Sequence, residues 1–190
     1  MDIETNTSSN TRLNNAVAIT VVLLSVFMAI SKVKDDNIVQ AMQQAKADSI
    51  DTWSEYQSKK LKLHLSESAL HQAKLLQATN GNVDNKALFA EEIVTQQNAI
   101  VKYEKESAQL QEKAKGFSKS YDEMNYHDDQ FDMSDALLAI ALAVAAVSAL
   151  VSNWLLLGLA WVSGGFGVLF GLSGFLGWAF HPGWLAALLS

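Results

Sequence analysis

The stretch that decides the fold is ALLAIALAVAAVSALVSNWLLLGLAWVSGGFGVLFGLSGFLGWAF, residues 136–180. It contains no Asp, Glu, Lys or Arg, and none follows it up to Ser190. A helix needs roughly 20 apolar residues to cross the hydrocarbon core of a bilayer, so this stretch is too long for one crossing and fits two. Because Asn153 is its best turn residue, we predict transmembrane helices at 136–152 and 154–180.

A further apolar region lies near the start of the chain, with the sequence AVAITVVLLSVFMAIS at 16–31. The segment before it, 1–12, is polar and acidic rather than basic, which is unlike the start of a signal peptide. We therefore predict a retained transmembrane helix at 13–33, preceded by a polar N-terminal tail. Trp154, Trp178 and Trp184 match the aromatic belts of membrane interfaces, and we expect 181–190 to be an interfacial tail.

The region between the spans, 34–135, carries nearly all the charges and is rich in the helix formers Ala, Gln, Lys, Leu and Glu. Its main cluster of turn residues is TNGNVDN at 79–85. After this turn, apolar residues recur on alternating steps of four and three, which is the spacing of a coiled-coil seam. The principal residues of this seam are Phe89, Ile93, Ile100, Tyr103, Leu110, Phe117, Tyr121 and Met124.

The first arm of this region is less regular than the second. Its apolar residues fit one seam only in part, and Trp53 falls beside that seam. Two helical arms joined by a short polar turn indicate an antiparallel pair. The predicted fold is therefore all-α: an integral membrane protein with three transmembrane helices and a long antiparallel coiled-coil hairpin between spans 1 and 2. Because two helices alone bury little surface, we also expect a homo-oligomer.

Small residues form one face of the last span. They share the spacing of four and three residues, and small side chains let helix backbones approach closely in lipid. The members of this glycine face are Ala160, Gly164, Gly167, Gly171 and Gly174. The face could pack against the other two spans, form a subunit interface, or line a pore in which Ser163 and Ser173 supply hydroxyl groups. The sequence leaves these alternatives open.

Acidic residues crowd the approach to the second span in the run YDEMNYHDDQFDMSD, 121–135. Oxygen-rich clusters suit hard cations such as divalent metal ions, and the candidate ligands are His127, Asp128, Asp129 and Asp132. The alternative interpretation is that this run is simply the water-facing part of a helix. We assign no cofactor.

No motif of a catalytic or nucleotide-binding site is present, so we expect no enzymatic activity. The formal charge of −6 argues against nucleic acid as a partner, since phosphate binding needs a basic face. The expected partners are the lipid bilayer, further copies of the chain, and other membrane or cytoplasmic proteins that contact the hairpin.

Two segments of the chain resemble an uncharacterised family of bacterial membrane proteins, known as domain of unknown function 4337. They are KVKDDNIVQAMQQAKADSIDTWSEYQSKK at 32–60 and GFLGWAFHPGWLAALLS at 174–190. The most specific parts are DDNIVQAMQQAKAD at 35–48 and the W-x-x-Y-Q pattern of Trp53, Tyr56 and Gln57. The resemblance implies a bacterial source and the order of one span, a coiled coil and two spans. It implies no activity and no catalytic residues.

Basic residues set the expected orientation, because Lys and Arg near the spans remain on the cytoplasmic side. Only Arg12 precedes the first span, whereas Lys32, Lys34, Lys46 and Lys119 flank the hairpin side. We expect the bacterial inner membrane, with the hairpin and the C-terminus in the cytoplasm. The leading hypothesis for function is a self-associating structural or scaffold protein. The alternative is an oligomeric channel or a transport-accessory subunit with an acidic collar that attracts cations.

Overall fold

The computed structural model describes the backbone of residues 3–79 and 83–178, and the side chains of residues 11–79 and 85–178. These ranges contain three helices and no strand: α1 (Ile3–Thr79), α2 (Val83–Val151) and α3 (Trp154–Leu176). Each of the three is long enough, and apolar enough over part of its length, to cross a membrane. The predictions of an all-helical fold and of three apolar helical segments are confirmed.

The helix ends differ in detail from the predicted segment boundaries. The backbone of the expected polar tail is helical from Ile3, since residues 3–12 contain neither Pro nor Gly to interrupt α1. Val83 already belongs to α2, so the connection is shorter than the predicted turn at 79–85, whose residues 80–82 lie outside the described ranges. The expected interfacial tail at 181–190 also lies outside them.

The break between α2 and α3 is made by Ser152 and Asn153. Ser152 has a φ of 53°, in the left-handed region. The side chain of Asn153 caps α3 by accepting a hydrogen bond from the Leu155 amide at 2.9 Å. The other end of α3 comes earlier than the predicted 180, because Gly177 adopts a φ of 66° and forms a left-handed C-cap.

The chain divides into two compact units. The three-helix unit comprises Met1–Met42 and Asp122–Ser190, and the two-helix unit comprises Gln43–Tyr121. In the three-helix unit, parts of α1, α2 and α3 pack on one another around a cluster of fully or nearly fully buried residues. This cluster consists of Leu13, Val17, Ala145, Leu157 and Ala160. Hydrogen bonds also join the helices: Ser163 Oγ donates to the Leu137 carbonyl at 2.9 Å, and Trp161 Nε1 donates to Thr20 Oγ1 at 2.9 Å.

In the two-helix unit, α1 and α2 run antiparallel. Ser49 and Ser118 share a hydrogen bond of 3.1 Å, and farther along α1 the Lys59 ammonium lies 2.7 Å from the Glu106 carboxylate. From the first contact to the second, the residue number increases on α1 and decreases on α2, so the two helices run in opposite directions. The Lys46 ammonium lies 5.3 Å from the centre of the Tyr121 ring and adds a cation–π contact between the two helices.

The buried positions of α1 in this unit keep the coiled-coil spacing without interruption, although the sequence suggested an irregular first arm. Some inward positions of this repeat are occupied by small polar residues rather than apolar ones. A search for periodic apolar residues alone does not detect them. Thr52 is buried because its hydroxyl donates to the Asp48 carbonyl at 2.6 Å, so its polar group remains hydrogen-bonded inside the helix pair. The polar residues buried on this face are Ser49, Thr52 and Ser66.

Candidate functional site

A carboxylate lies buried in the three-helix unit where the apolar segment of α1 ends. Asp35 is only 2% exposed, because the steps from Ser31 to Asp35 and on to Ile38 place it on the inward face of α1. Its Oδ2 accepts a hydrogen bond of 2.7 Å from the Lys32 ammonium. The same ammonium lies 3.6 Å from Asp36 Oδ1, so this one cation is shared by two carboxylates.

A second carboxyl group meets Asp35 from α2. Asp128 is half-buried, and its side chain is within hydrogen-bonding contact of Asp35. Burial raises the pKa of Asp128, and the Asp35 carboxylate raises it further through the hydrogen bond and through charge repulsion, to about 7 in all. Asp128 is therefore poised to exchange a proton near neutral pH, unlike an ordinary aspartate.

Two further aspartates of α2 share this environment. Partial withdrawal from water raises the pKa of Asp132 and of Asp135, and the nearby Asp35 carboxylate raises both further. The Lys32 ammonium opposes the shift in each case. The single ammonium of Lys32 thus faces several carboxylates. Protonation of one carboxylate would reduce the repulsion that this ammonium leaves uncompensated.

The end of α3 is fixed against the same part of α2. Gln130 is fully buried, and its Nε2 donates to the Trp178 carbonyl at 2.9 Å. Its Oε1 lies 3.2 Å from His127 Nδ1. Phe131 meets Phe175 edge to face, with ring centroids 5.2 Å apart. These contacts hold the turn of α2 that carries Asp128 against a neighbouring helix.

The cation candidates from the sequence lie along this turn, but they do not form a metal centre in the described residues. His127, Asp128 and Asp129 are half-buried, and Asp132 is the most exposed of the four but still partly withdrawn from water. Within residues 11–79 and 85–178, no group of three His, Asp or Glu side chains is arranged to hold a metal ion. The acidic run instead brings Asp128 to Asp35, a pairing with a different chemistry.

The glycine face packs inside the chain. Every member from Ala160 to Gly174 is buried. A Cβ added at Gly164 would lie 2.9 Å from Leu24 of α1, and one added at Gly167 would lie 2.9 Å from Leu138 of α2. Likewise, Gly171 faces Phe27, and Gly174 faces the Phe131 ring. Of the open alternatives, intramolecular packing therefore describes this face, because the side chains of α1 and α2 already occupy the place of a second subunit or a pore.

The hydroxyl groups considered for a pore lining are used in the same packing. Ser163 donates to the Leu137 carbonyl of α2, and Ser173 donates to the Phe170 carbonyl of its own helix at 2.7 Å. Ser134 of α2 donates to the Gly167 carbonyl at 2.8 Å, so α2 also forms a hydrogen bond with the glycine face. These hydroxyls are satisfied by backbone groups of the chain.

The predicted coiled-coil seam of α2 is turned towards α1. Its members from Phe89 to Tyr121 are all half-buried and lie in the two-helix unit, whereas Met124 is half-buried in the three-helix unit. Small residues on the same repeat are buried more deeply: Ser107 is 4% exposed and Ala114 is fully buried.

Sequence reasoning missed Asp35, Ser31 and Gln130 as parts of the site. In the sequence, Asp35 stands out only as the first residue of the segment 35–48 that resembles the family. The signal that could have found it is register, because the four–three spacing of Ile38 and Met42, continued backwards, reaches Asp35 and Ser31. Gln130 carried no such signal, since its partner is a main-chain carbonyl 48 residues away along the chain.

Comparison with known families gives a match over most of the chain. The model of the family described as domain of unknown function (DUF4337) matches residues 13–177. Neither a curated protein nor a solved structure matches the chain. The matched range contains all three apolar segments, the two-helix unit, and both Asp35 and Asp128. The chain therefore belongs to the DUF4337 family.

Proposed function

We propose that this protein is a self-associating structural protein of the bacterial inner membrane, whose helical hairpin joins copies of the chain into a scaffold for other proteins. The observation that carries the proposal is an exposed, uncharged stripe on α1 of the two-helix unit. Large apolar side chains that remain in water on a helical surface are typical of sites that another protein covers.

The outer stripe advances along α1 in steps of three and four residues, as a coiled-coil seam does, and contains no charged residue. Its apolar members are highly exposed, with Leu61 and Leu65 each at 61%. The full stripe consists of Ile50, Ser54, Gln57, Leu61, Leu65, Ser68, Gln72, Leu75 and Thr79. At about 100° per residue it lies on the side of α1 opposite Leu63, which is buried, and Leu70, which is half-buried. In this unit α1 therefore has two helix-packing faces, of which α2 covers one.

A second copy of the chain fits the outer stripe best. The charges beside the stripe are of both signs, with Glu55 and Lys62 on one flank and Lys60 and Glu67 on the other. Two copies anchored in one membrane are related by an axis along the membrane normal, so their α1 helices would pair in parallel. Each apolar residue of the outer stripe would then meet its own counterpart, and the mixed flanking charges would allow ion pairs across the interface.

The location in the cell rests on the candidate spans and the distribution of Lys and Arg. The excess of basic residues on the hairpin side of the spans supports a cytoplasmic hairpin and C-terminus. In this arrangement the outer stripe would face cytoplasmic proteins as well as other copies. Scaffold formation would leave the α2 side of the hairpin for such partners.

The test is the mass of the detergent-solubilised protein, measured by light scattering and corrected for bound detergent. We expect a discrete oligomer for the unmodified chain. The double variant L61E/L65E places two carboxylates in the outer stripe, which should lower the mass to that of the monomer, because like charges would face each other across the interface.

The matched control is V101E. Val101 is 66% exposed on α2, so the variant adds a carboxylate to an apolar surface outside the outer stripe. It should retain the mass of the unmodified oligomer. A monomeric unmodified protein, or an unchanged mass for L61E/L65E, would contradict the proposal.

A further inference from the structure

The carboxyl pair of Asp35 and Asp128 has an unusual deficit of hydrogen-bond donors. Asp35 Oδ2 is paired with Lys32, but Asp35 Oδ1 is buried and meets no donor among the described residues. Leaving an ionised carboxylate oxygen buried without a donor is costly. The polar group that contacts Asp35 from α2 is another carboxyl, that of Asp128.

We propose that Asp35 and Asp128 form a proton-binding site, in which Asp128 takes up one proton and as a carboxylic acid donates a hydrogen bond to Asp35 Oδ1. The step balances: one proton from water binds to Asp128, no other bond changes, and the net charge of the pair rises from −2 to −1. The remaining negative charge stays on Asp35, beside the Lys32 ammonium.

One further buried oxygen points to the same shortage of donors. Asp135 Oδ1 is buried and has no hydrogen-bond partner in the described residues. The Ser31 hydroxyl is fully buried one turn before Asp35, but it too has no partner in the described residues, so it does not donate to Asp35. The donor that reaches the Asp35 carboxylate is the Lys32 ammonium, and a proton on the neighbouring carboxyl would supply a second one.

The groups that face the pair all favour protonation, except for one lysine. From α1 they are Lys32 and Asp36, and from α2 they are Asp129, Asp132 and Asp135. His127 precedes Asp128, but its Nδ1 is engaged with Gln130. Helix α3 adds no ionisable side chain, because Trp154–Leu176 contains none. The carboxylates around Asp128 thus outnumber the cation, and burial together with these charges raises the pKa of Asp128 to about 7.

The proton couples the contact between α1 and α2 to pH. The pKa of Asp128 in the folded chain lies above its ordinary value of 3.8, so its protonated form is favoured by folding. The associated stability is fully present below about pH 4 and is lost as the pH rises through about 7. Above that value two adjacent carboxylates repel each other where the two helices meet. This inference is independent of self-association.

Infrared spectroscopy of the full-length protein in detergent tests the site directly. A protonated carboxyl gives a C=O stretching band that ionised carboxylates lack. For the unmodified chain we expect such a band to fade with a midpoint near pH 7. D128N should abolish this titration, and its amide should remain a permanent donor to Asp35, so that the loss of stability near pH 7 disappears. D35N should shift the midpoint down by at least one pH unit, because it removes the neighbouring charge.

The matched control is D122N, which removes an exposed carboxylate from α2 and should leave the titration unchanged. The proposal is overturned if no carboxyl band titrates near neutral pH, or if the titration persists in D128N. It is also overturned if sodium at constant ionic strength moves the midpoint, since the oxygens would then form a metal-cation site.

Discussion

The two units of the molecule bring helices together by different means. In the three-helix unit, which contains the candidate spans, glycine lets backbones approach and serine hydroxyls bond to carbonyls of the neighbouring helix. In the two-helix unit, half-buried aromatic and aliphatic residues alternate with small residues such as Ser107 and Ala114. This difference is the one expected if the candidate spans cross a membrane. Lipid is as apolar as leucine and gives helices no hydrophobic reason to associate, so helices in lipid associate through close packing and hydrogen bonds.

The carboxylates of the two units differ in the same way. Burial and like charges dominate around Asp128 and raise its pKa, whereas the hydrogen bond from Lys59 dominates at Glu106 and lowers its pKa. The stability contributed by Asp128 is therefore lost as the pH rises, and that contributed by Glu106 is lost as the pH falls. The comparison assigns opposite pH dependences to the two units.

The largest effect is expected from a side chain placed on the glycine face. In Gly167→Leu the new Cβ would lie 2.9 Å from Leu138 Cγ and 3.2 Å from the Leu138 main-chain nitrogen. Leu138 is fully buried and cannot move away, so overpacking should cost about 1–3 kcal/mol or prevent folding. The measurement is the midpoint of unfolding by sodium dodecyl sulfate, followed by tryptophan fluorescence.

The matched control for this variant is Gly165→Leu, two residues away on α3. A Cβ at Gly165 meets nothing within 4 Å, so this variant should unfold close to the unmodified midpoint. If the two variants were equally destabilised, close helix packing would not distinguish the glycine face from the rest of α3, and the contrast between the units would fail.

The sequence was sufficient for the fold class because the charge pattern is extreme. Runs without a charge predicted the three apolar helices, and the segments at 32–60 and 174–190 indicated the family. The partner of the glycine face could not be predicted, because a face of small residues has the same pattern whether its own chain or a second subunit covers it. The structure supplies what the pattern lacks, namely Leu24, Phe27 and Leu138 in contact with it.

The candidate site was harder to predict because its key residue breaks the polarity rule. An aspartate just after a span is normally exposed, and only the register of α1 shows that Asp35 turns inward. For the same reason the sequence did not reveal the regular coiled-coil spacing of the first arm, because Ser49, Thr52 and Ser66 occupy inward positions there. Small hydroxyl residues can bond to their own helix backbone, so burial costs them little.

A smaller effect is expected from one interhelical hydrogen bond in the three-helix unit. Ser134→Ala removes the 2.8 Å bond to the Gly167 carbonyl and should cost about 0.6 kcal/mol, up to about 1.7. The control is Ser173→Ala, which removes an equally buried hydroxyl whose bond lies within α3. In the same unfolding experiment Ser134→Ala should be the more destabilised. A reversed order would mean that hydroxyl bonding between helices is not what holds this unit together.

The smallest effect is expected at the ion pair of the two-helix unit, and it sharpens the contrast in pH dependence. In Glu106→Gln the Lys59 ammonium loses its partner at 2.7 Å, and amide exchange around residues 56–63 and 103–110 should become faster. The hydrogen bond from Lys59 lowers the pKa of Glu106 below its ordinary 4.5, and its counterpart raises the pKa of Lys59 above 10.5. The stabilisation from this ion pair is therefore present at pH values between 4.5 and 10.5. It is lost as the pH falls through the pKa of Glu106, which is the reverse of the behaviour at Asp128. Because both partners are partly exposed, the difference in amide exchange between Glu106→Gln and the unmodified chain should also vanish at high salt.

The control is Glu112→Gln, which breaks an exposed pair with Lys115 within one helix and should leave the exchange unchanged. An effect of Glu106→Gln that persisted at high salt would show that packing, rather than charge, holds the two helices at this position.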